Sequence, residues 1–327
     1  MSEWSWEAMI AAFVALGGVA RNVRPGCGAR GQGLFCIDPA SPASVQVPPN
    51  LLVADDQLVL EDGIARLLPG AEVDDAERDF YERYYNAFSW RREEDGSAFF
   101  AALEALAPEI RDVITDDLHF GGLLARARTF PAFDEFKKSR SIRIAERKVM
   151  MPIVELVNHA SHAPGFNTMQ GVAVRGRFAG EVLVRYARTD AFGILASWGF
   201  ASPEPRAYGL QMQFSWQGRA VAVHRAFRAA SQGSRLPTVT ASDKTIAISY
   251  ILLGNVEYPQ MPRQLFVAAM AEAGQNDAGL LFDKIRQRNH AKLERLTAAL
   301  QGRVGAGEAL LSKTCAYQLQ ALAGCEA

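Results

Sequence analysis

A chain of 327 residues is long enough for one large domain or two ordinary ones, each with its own core. Its 49% hydrophobic and 22% charged residues are the proportions of a soluble globular protein. Lys+Arg 35 against Asp+Glu 36 leaves a net charge of -1, without the basic excess of a nucleic-acid binder, and the apolar runs are too short to cross a bilayer. Neither nucleic acid nor membrane is therefore an expected partner.

In chain order, residues 4–16 carry apolar side chains at helical spacing, stopped by Gly17 and Gly18. The acidic and aromatic start reads as an amphipathic helix and not as a signal peptide. The four cysteines, Cys27, Cys36, Cys315 and Cys325, lack CxxC or CxC spacing. Free thiols in a reducing, cytoplasmic setting are expected, and no zinc site.

Residues 19–23 read as a short strand, followed by the stretch PGCGARGQG at 25–33 and the apolar LFCI at 34–37. Closely spaced glycines between two apolar runs predict a tight turn, in the plainest case a hairpin, where the backbone approaches something closely. A dinucleotide fingerprint is excluded, because a Pro- and Ser-rich segment follows where a helix would be required. From about 55 to 136 the pattern turns helical, clearest at 79–85 and 99–108, with aromatic stripes expected to pack inward.

Residues 151–162, MPIVELVNHASH, form an apolar run ending in Asn158 and His159. His162 completes an HxxH, but no further ligands stand at metal-site spacing, and His119, His224 and His290 are isolated; no metal is expected. A strand follows from Glu181 to Tyr186, then a helix-like stretch closing on Trp198, Gly199 and Phe200. Residues 208–216 alternate as a strand with 220–224 as hairpin partner. From about 245 to 322 the chain reads as helical, most strongly at 262–273 and 280–300.

This order of segments resembles the signature of SET-domain methyltransferases, in the branch of the Rubisco lysine methyltransferases and their non-histone relatives. Gly31, Gln32 and Gly33 match the G-x-G-L-F/V turn whose backbone receives the methionine end of S-adenosyl-L-methionine. Residues 45–53, VQVPPNLLV, sit where that family has a "vP-x-x-l-l" strand, and 99–108 is similar to a stretch of its helical insertion. Arg128, in register with Phe130, takes the place of a cofactor-contacting arginine, with Arg140 in Ser139-Arg140 as the rival. The resemblance implies that the Asn158 side chain and the His159 backbone read the adenine, and that Tyr186 is the catalytic phenol. Glu155 stands where the family has aspartate.

Two departures fall on the acceptor side. Trp198 replaces the tyrosine of a "YGF" triplet whose last residue is Phe200, and the family's "SN" becomes Thr189 and Asp190, or Asp190 and Ala191. Asp190, Trp198 and Phe200 are the expected substrate-binding residues. Methyl transfer from a sulfonium requires a neutral, collinear nucleophile and exclusion of water, so an apolar channel that disfavours an ammonium helps.

The resemblance implies an α+β chain: a SET-like domain over 1–215 with a helical insertion at about 55–148, and a mainly α-helical substrate-binding domain over 216–327. The expected activity is S-adenosylmethionine-dependent N-methylation of a lysine on a non-histone protein substrate. A small-molecule acceptor, or a catalytically silent protein-binding module, are the alternatives left open by the altered acceptor residues.

Overall fold

The computed structural model describes residues 4–90, 93–117, 123–125, 132–225 and 237–324. The architecture is mixed α+β, built from small, mainly antiparallel sheets and several helices. Two compact units form, one of residues 1–98 with 130–187, the other of residues 99–129 with 188–327.

In the first unit, the central strand Ala43–Val47 pairs antiparallel with Val19–Arg21 on one side and Val172–Gly176 on the other. Its sequence ASVQV alternates, and Ala43, Val45 and Val47 point into the core. Three hairpins share the core of this sheet: Val23–Gly28 with Gly31–Cys36, Leu58–Glu61 with Ile64–Leu67, and Ser141–Ile144 with Arg147–Met150. The helix Trp6–Ala15, capped by the Ser5 hydroxyl, buries Met9 and Phe13. The helix Asp75–Tyr84 starts from a reciprocal capping box between Asp74 and Glu77. Its aromatic face packs inward, Phe80 stacking on both Phe13 and Tyr84.

The expected insertion at 55–148 is helical only in part. It contains the helices Asp75–Tyr84, Glu93–Glu104, Pro108–Asp112 and Ala132–Arg140, but also two of the hairpins, and it divides between the two units.

The second unit carries a four-stranded sheet in the order Met212–Trp216, Arg219–His224, Thr245–Ser249, Thr238–Ala241. The first two strands form the expected hairpin, closed by Gln217 and Gly218 at φ 48 and 77. A further pair joins Arg206–Tyr208 to Leu252–Asn255. The helical expectation from 245 is thus corrected over its first eleven residues. TIAIS at 245–249 alternates with period two, burying Ile246 and Ile248, and its β-branched residues suit a pleated sheet better than a helix. Helices begin at Met261–Glu272 and continue through Ala278–Leu300 and Ala306–Ala323.

The compact units divide at 187/188, not at the expected 215, and the region 216–327 holds a sheet as well as helices. A break at 215 would cut the hairpin whose two strands lie on either side of it, together with the core it shares with Ile246 and Ile248.

Close backbone approach decides one position in this unit. A Cβ on Gly254 would lie 2.2 Å from the carbonyl oxygen of Ala321, on the helix packed against that strand. Gly254→Ala should therefore lower the chemical-unfolding midpoint by the equivalent of about 1–3 kcal/mol. Gly70→Ala, at a position with open space around it, should stay within about 0.5 kcal/mol of the parent. Equal midpoints for the two variants would contradict the packing described.

Candidate functional site

The glycine-rich stretch is a hairpin, with Gly26 opposite Gly33 and Gly28 opposite Gly31. Gly31 lies at φ +84, a conformation that favours glycine. The reason for Gly33 is different: a Cβ there would stand 2.5 Å from Nδ2 of Asn158. That amide donates to the Gln32 carbonyl at 3.0 Å and to Glu181 Oε1 at 2.8 Å. Glu181 in turn receives Arg30, from the hairpin tip, at 2.8 Å. Backbone bonds from Val182 to Leu34 and from Cys36 to Gly180 extend the same seam. The turn at 31–33 and Asn158 are brought together, through a glutamate that the sequence reading placed only at the start of a strand.

Asn158–His159 runs parallel to Leu183–Val184, and this pairing delivers Tyr186 to the same region. The Tyr186 backbone N–H donates to Nδ1 of the buried His159 at 3.1 Å. The two rings lie 5.1 Å apart, and Tyr186 also stacks on Phe166 with an interplanar angle of 11°. The phenol donates to the Val157 carbonyl at 2.8 Å. Burial pushes the phenol up to about 12, with Arg140 opposing and Glu155 and Glu181 adding to the rise. Tyr186 is thus a protonated phenol across the physiological range.

Glu155, read from sequence as a charge-conserving replacement, is buried. The helix Asp75–Tyr84 widens into a π-turn at Tyr85–Ser89, and this winding aims three hydroxyls at one carboxyl group. Tyr84 donates at 3.0 Å, Tyr85 at 3.2 Å, and Ser89 completes the set. Arg140 donates to the Glu155 backbone carbonyl at 3.1 Å. Burial raises the Glu155 carboxyl above its ordinary range, against the lowering effects of Arg140 and of the Ser89, Tyr84 and Tyr85 hydroxyls. Just before it, Ile153 holds φ +67, an unusual conformation for a β-branched residue. Of the two rival arginines, Arg140 is therefore tied to the segment that leads to Asn158; Arg128 lies outside the described residues.

The expected acceptor residues belong to the second unit. Asp190 is fully buried and caps the helix Ala191–Trp198 by accepting the Gly193 N–H at 2.8 Å. Its other oxygen accepts the Tyr208 N–H at 3.0 Å and the Gln318 amide at 2.9 Å, and Arg225 pairs with the carboxylate. Asp190, expected from sequence to bind substrate, thus has a capping and cross-linking role, and its described contacts hold its own unit together. Trp198 is the last residue of that helix and is half-buried. Gly199 ends it at φ +77, where a Cβ would press on the Phe99 ring at 2.9 Å. Phe200 follows, also half-buried.

Among the described residues, no three His, Cys, Asp or Glu side chains converge as a metal site, and Cys27, Cys36 and Cys315 are free thiols. Cys325 lies outside the described residues. No described helix is long and apolar enough to cross a membrane. No protein-family model matches the chain, and no curated protein matches it.

The state of Glu155 links the site to pH. A carboxyl whose folded-state pKa is raised stabilises the fold below its unfolded value, 4.5, and that contribution is lost as pH rises through the folded value. Urea titrations at pH 4, 6 and 8 should therefore show the parent losing stability relative to Glu155→Gln as pH rises. Each pKa unit of the rise corresponds to about 1.4 kcal/mol. Parallel curves for the two proteins would show that Glu155 is not held in a raised state.

Proposed function

We propose that the chain is an S-adenosylmethionine-dependent N-methyltransferase with a SET-like first unit, acting on a lysine of a non-histone protein. The observation that carries this reading is the convergence of three distant segments. The turn at 31–33, Asn158–His159 and Tyr186 meet within one unit, through the Asn158 side chain and the His159–Tyr186 contact.

The residues present fit the cofactor in two respects. The missing side chain of Gly33 lets the Asn158 amide pack directly against the turn, so the two proposed cofactor contacts lie side by side. Asn158 is half-exposed and uses its amide N–H groups inside the protein, which leaves its side-chain oxygen as the acceptor an adenine amino group needs. The turn at 31–33 would hold the methionine end, while Asn158 and His159 would read the adenine. Arg140 takes the arginine role in this reading, since it is bonded to the segment before Asn158. When bound, the cofactor supplies a methyl group on a sulfonium, open to in-line displacement by a neutral amine.

Tyr186 then acts through its oxygen. Because its O–H donates to Val157, what the phenol can offer is lone pairs, suited to accept an amine N–H and to stabilise a methyl group gaining positive character. Its raised pKa keeps it from ionising as it does so. Desolvation near the acceptor would favour the neutral amine over the ammonium.

A small-molecule acceptor is the second reading. It is favoured by Trp198, whose indole suits a planar or cationic group better than the tyrosine it replaces.

Calorimetry with S-adenosylmethionine and S-adenosylhomocysteine tests the cofactor claim. Micromolar binding is expected, weakened about tenfold or more by Asn158→Ala, which removes a hydrogen bond in a partly desolvated site. Absence of binding to either ligand overturns the reading. With a labelled methyl donor and a cell extract, label should enter the protein fraction; entry into the small-molecule fraction instead selects the second reading. Tyr186→Phe should reduce that transfer by about 10²-fold while leaving cofactor affinity nearly unchanged. Transfer at the parental rate would remove the phenol from the mechanism.

A further inference from the structure

The amide of Asn158 is held by two groups that can only accept a hydrogen bond. Its Nδ2 lies 3.0 Å from the Gln32 backbone carbonyl and 2.8 Å from Oε1 of Glu181. Neither a carbonyl oxygen nor an arginine-paired carboxylate has a proton to donate, so both N–H groups of the amide point at them. That leaves Oδ1, on a half-exposed side chain, to face outward. A flipped amide would set oxygen against oxygen at both inner contacts. The polarity of the outer end of Asn158 is thus decided by the partners of its inner end.

Glu181 is fixed at both oxygens and along its backbone. Oε1 takes the Asn158 amide, and Oε2 takes Arg30 from the hairpin tip at 2.8 Å. The Glu181 side chain is 10% exposed against 44% for Arg30, so the carboxylate is withdrawn from water and depends on these two donors. Its chain neighbours bond to the hairpin strand, the Val182 N–H to the Leu34 carbonyl and the Gly180 carbonyl to the Cys36 N–H. Glu181 itself bridges to Phe35. Its Oε1 also stands 3.3 Å from where a Cβ on Gly33 would be, which packs carboxylate, amide and turn together.

We propose that Glu181 is a positioning residue: by holding the Asn158 amide it makes the site selective for a purine with an amino group at C6 over one with an oxygen there. A 6-aminopurine donates an N–H to Oδ1, whereas a 6-oxopurine sets its own oxygen against Oδ1. An asparagine free to flip could serve either base, since its other end would meet the oxygen with an N–H. Arg30 acts one step further out, by holding Oε2 so that Oε1 stays turned to Asn158. The selectivity rests on the reading of this site as the pocket for the cofactor's adenine; the hold of Glu181 on Asn158 does not.

Two measurements test the two parts. The first needs no ligand. In the NMR spectrum of nitrogen-labelled protein the Asn158 side-chain amide, assigned by its loss in Asn158→Ala, should exchange slowly with water. Glu181→Met, similar in length but without an acceptor, should lose that protection, and Glu181→Gln, whose carbonyl oxygen can still accept, should keep most of it. The second is calorimetry with S-adenosylhomocysteine and S-inosylhomocysteine, which differ at C6 and in the proton this places on N1. The parent should prefer the adenosyl ligand by about tenfold or more. Glu181→Met should narrow that ratio to about threefold or less, while Glu181→Gln retains most of it. A purely structural defect would weaken both ligands and leave their ratio where it was. Arg30→Gln, at an exposed tip, should narrow the ratio in the same direction and decides the question if Glu181→Met does not fold. An unchanged ratio in these variants overturns the selectivity role and leaves the methyltransferase reading in place. Binding of neither ligand to the parent overturns that reading and the selectivity with it. Equal amide exchange in the parent and Glu181→Met overturns the hold on Asn158, whatever the ligands do.

Discussion

A buried carboxyl group without its donors is among the most costly features a fold can carry, and Glu155 sets that condition for the first unit. Its partners come from the end of one helix and the widened turn that follows it, where Tyr84, Tyr85 and Ser89 present three hydroxyls to one side chain. The consequence is positional. The segment carrying Glu155 is the lead-in to Asn158–His159, so docking the carboxyl beneath the aromatic helix also fixes where that dipeptide begins. The positive-φ backbone of Ile153 is sustained by the same burial, since a strained residue persists only where its surroundings over-determine it.

From that anchor the candidate site is assembled by polar side chains that each touch two elements. The Asn158 amide joins the glycine hairpin to Glu181, and Glu181 carries the connection on to Arg30. His159 accepts from the backbone of Tyr186, so the residue read as an adenine contact also sets the position of the residue read as the phenol. Asn158–His159 and the approach to Tyr186 thus depend on the same parallel pair of short strands; under the proposed function, holding the cofactor and orienting the acceptor would share that support.

The second unit repeats the device with a different acid. Asp190 is fully buried and binds the Gly193 and Tyr208 backbone N–H groups, the Gln318 amide and Arg225, which ties a helix start, a strand and the last helix together. An aspartate suits this work because a carboxylate accepts at both oxygens, where an asparagine would offer one.

What the sequence by itself determined are features set by neighbours close along the chain. The glycine hairpin, the paired strands at 212–224 and the helices at 262–273 and 280–300 follow from local turn chemistry and apolar period, as does the inward packing of the aromatic run at 80–85. The candidate residues Gly31, Gln32, Gly33, Asn158, His159 and Tyr186 were legible through the order of their segments. The strands at 245–255 were not, because a short apolar run serves a buried strand or a helix equally well until its pairing partner is known. Nor could the pattern along the chain reveal that Glu181 bridges to Asn158 and Arg30, that Asp190 turns inward, or that the units part at 187/188. Each of these depends on contacts between residues far apart in sequence. Only the tertiary structure decides them, because whether a carboxylate faces solvent or a set of donors is settled by what packs over it, and local pattern carries no record of that.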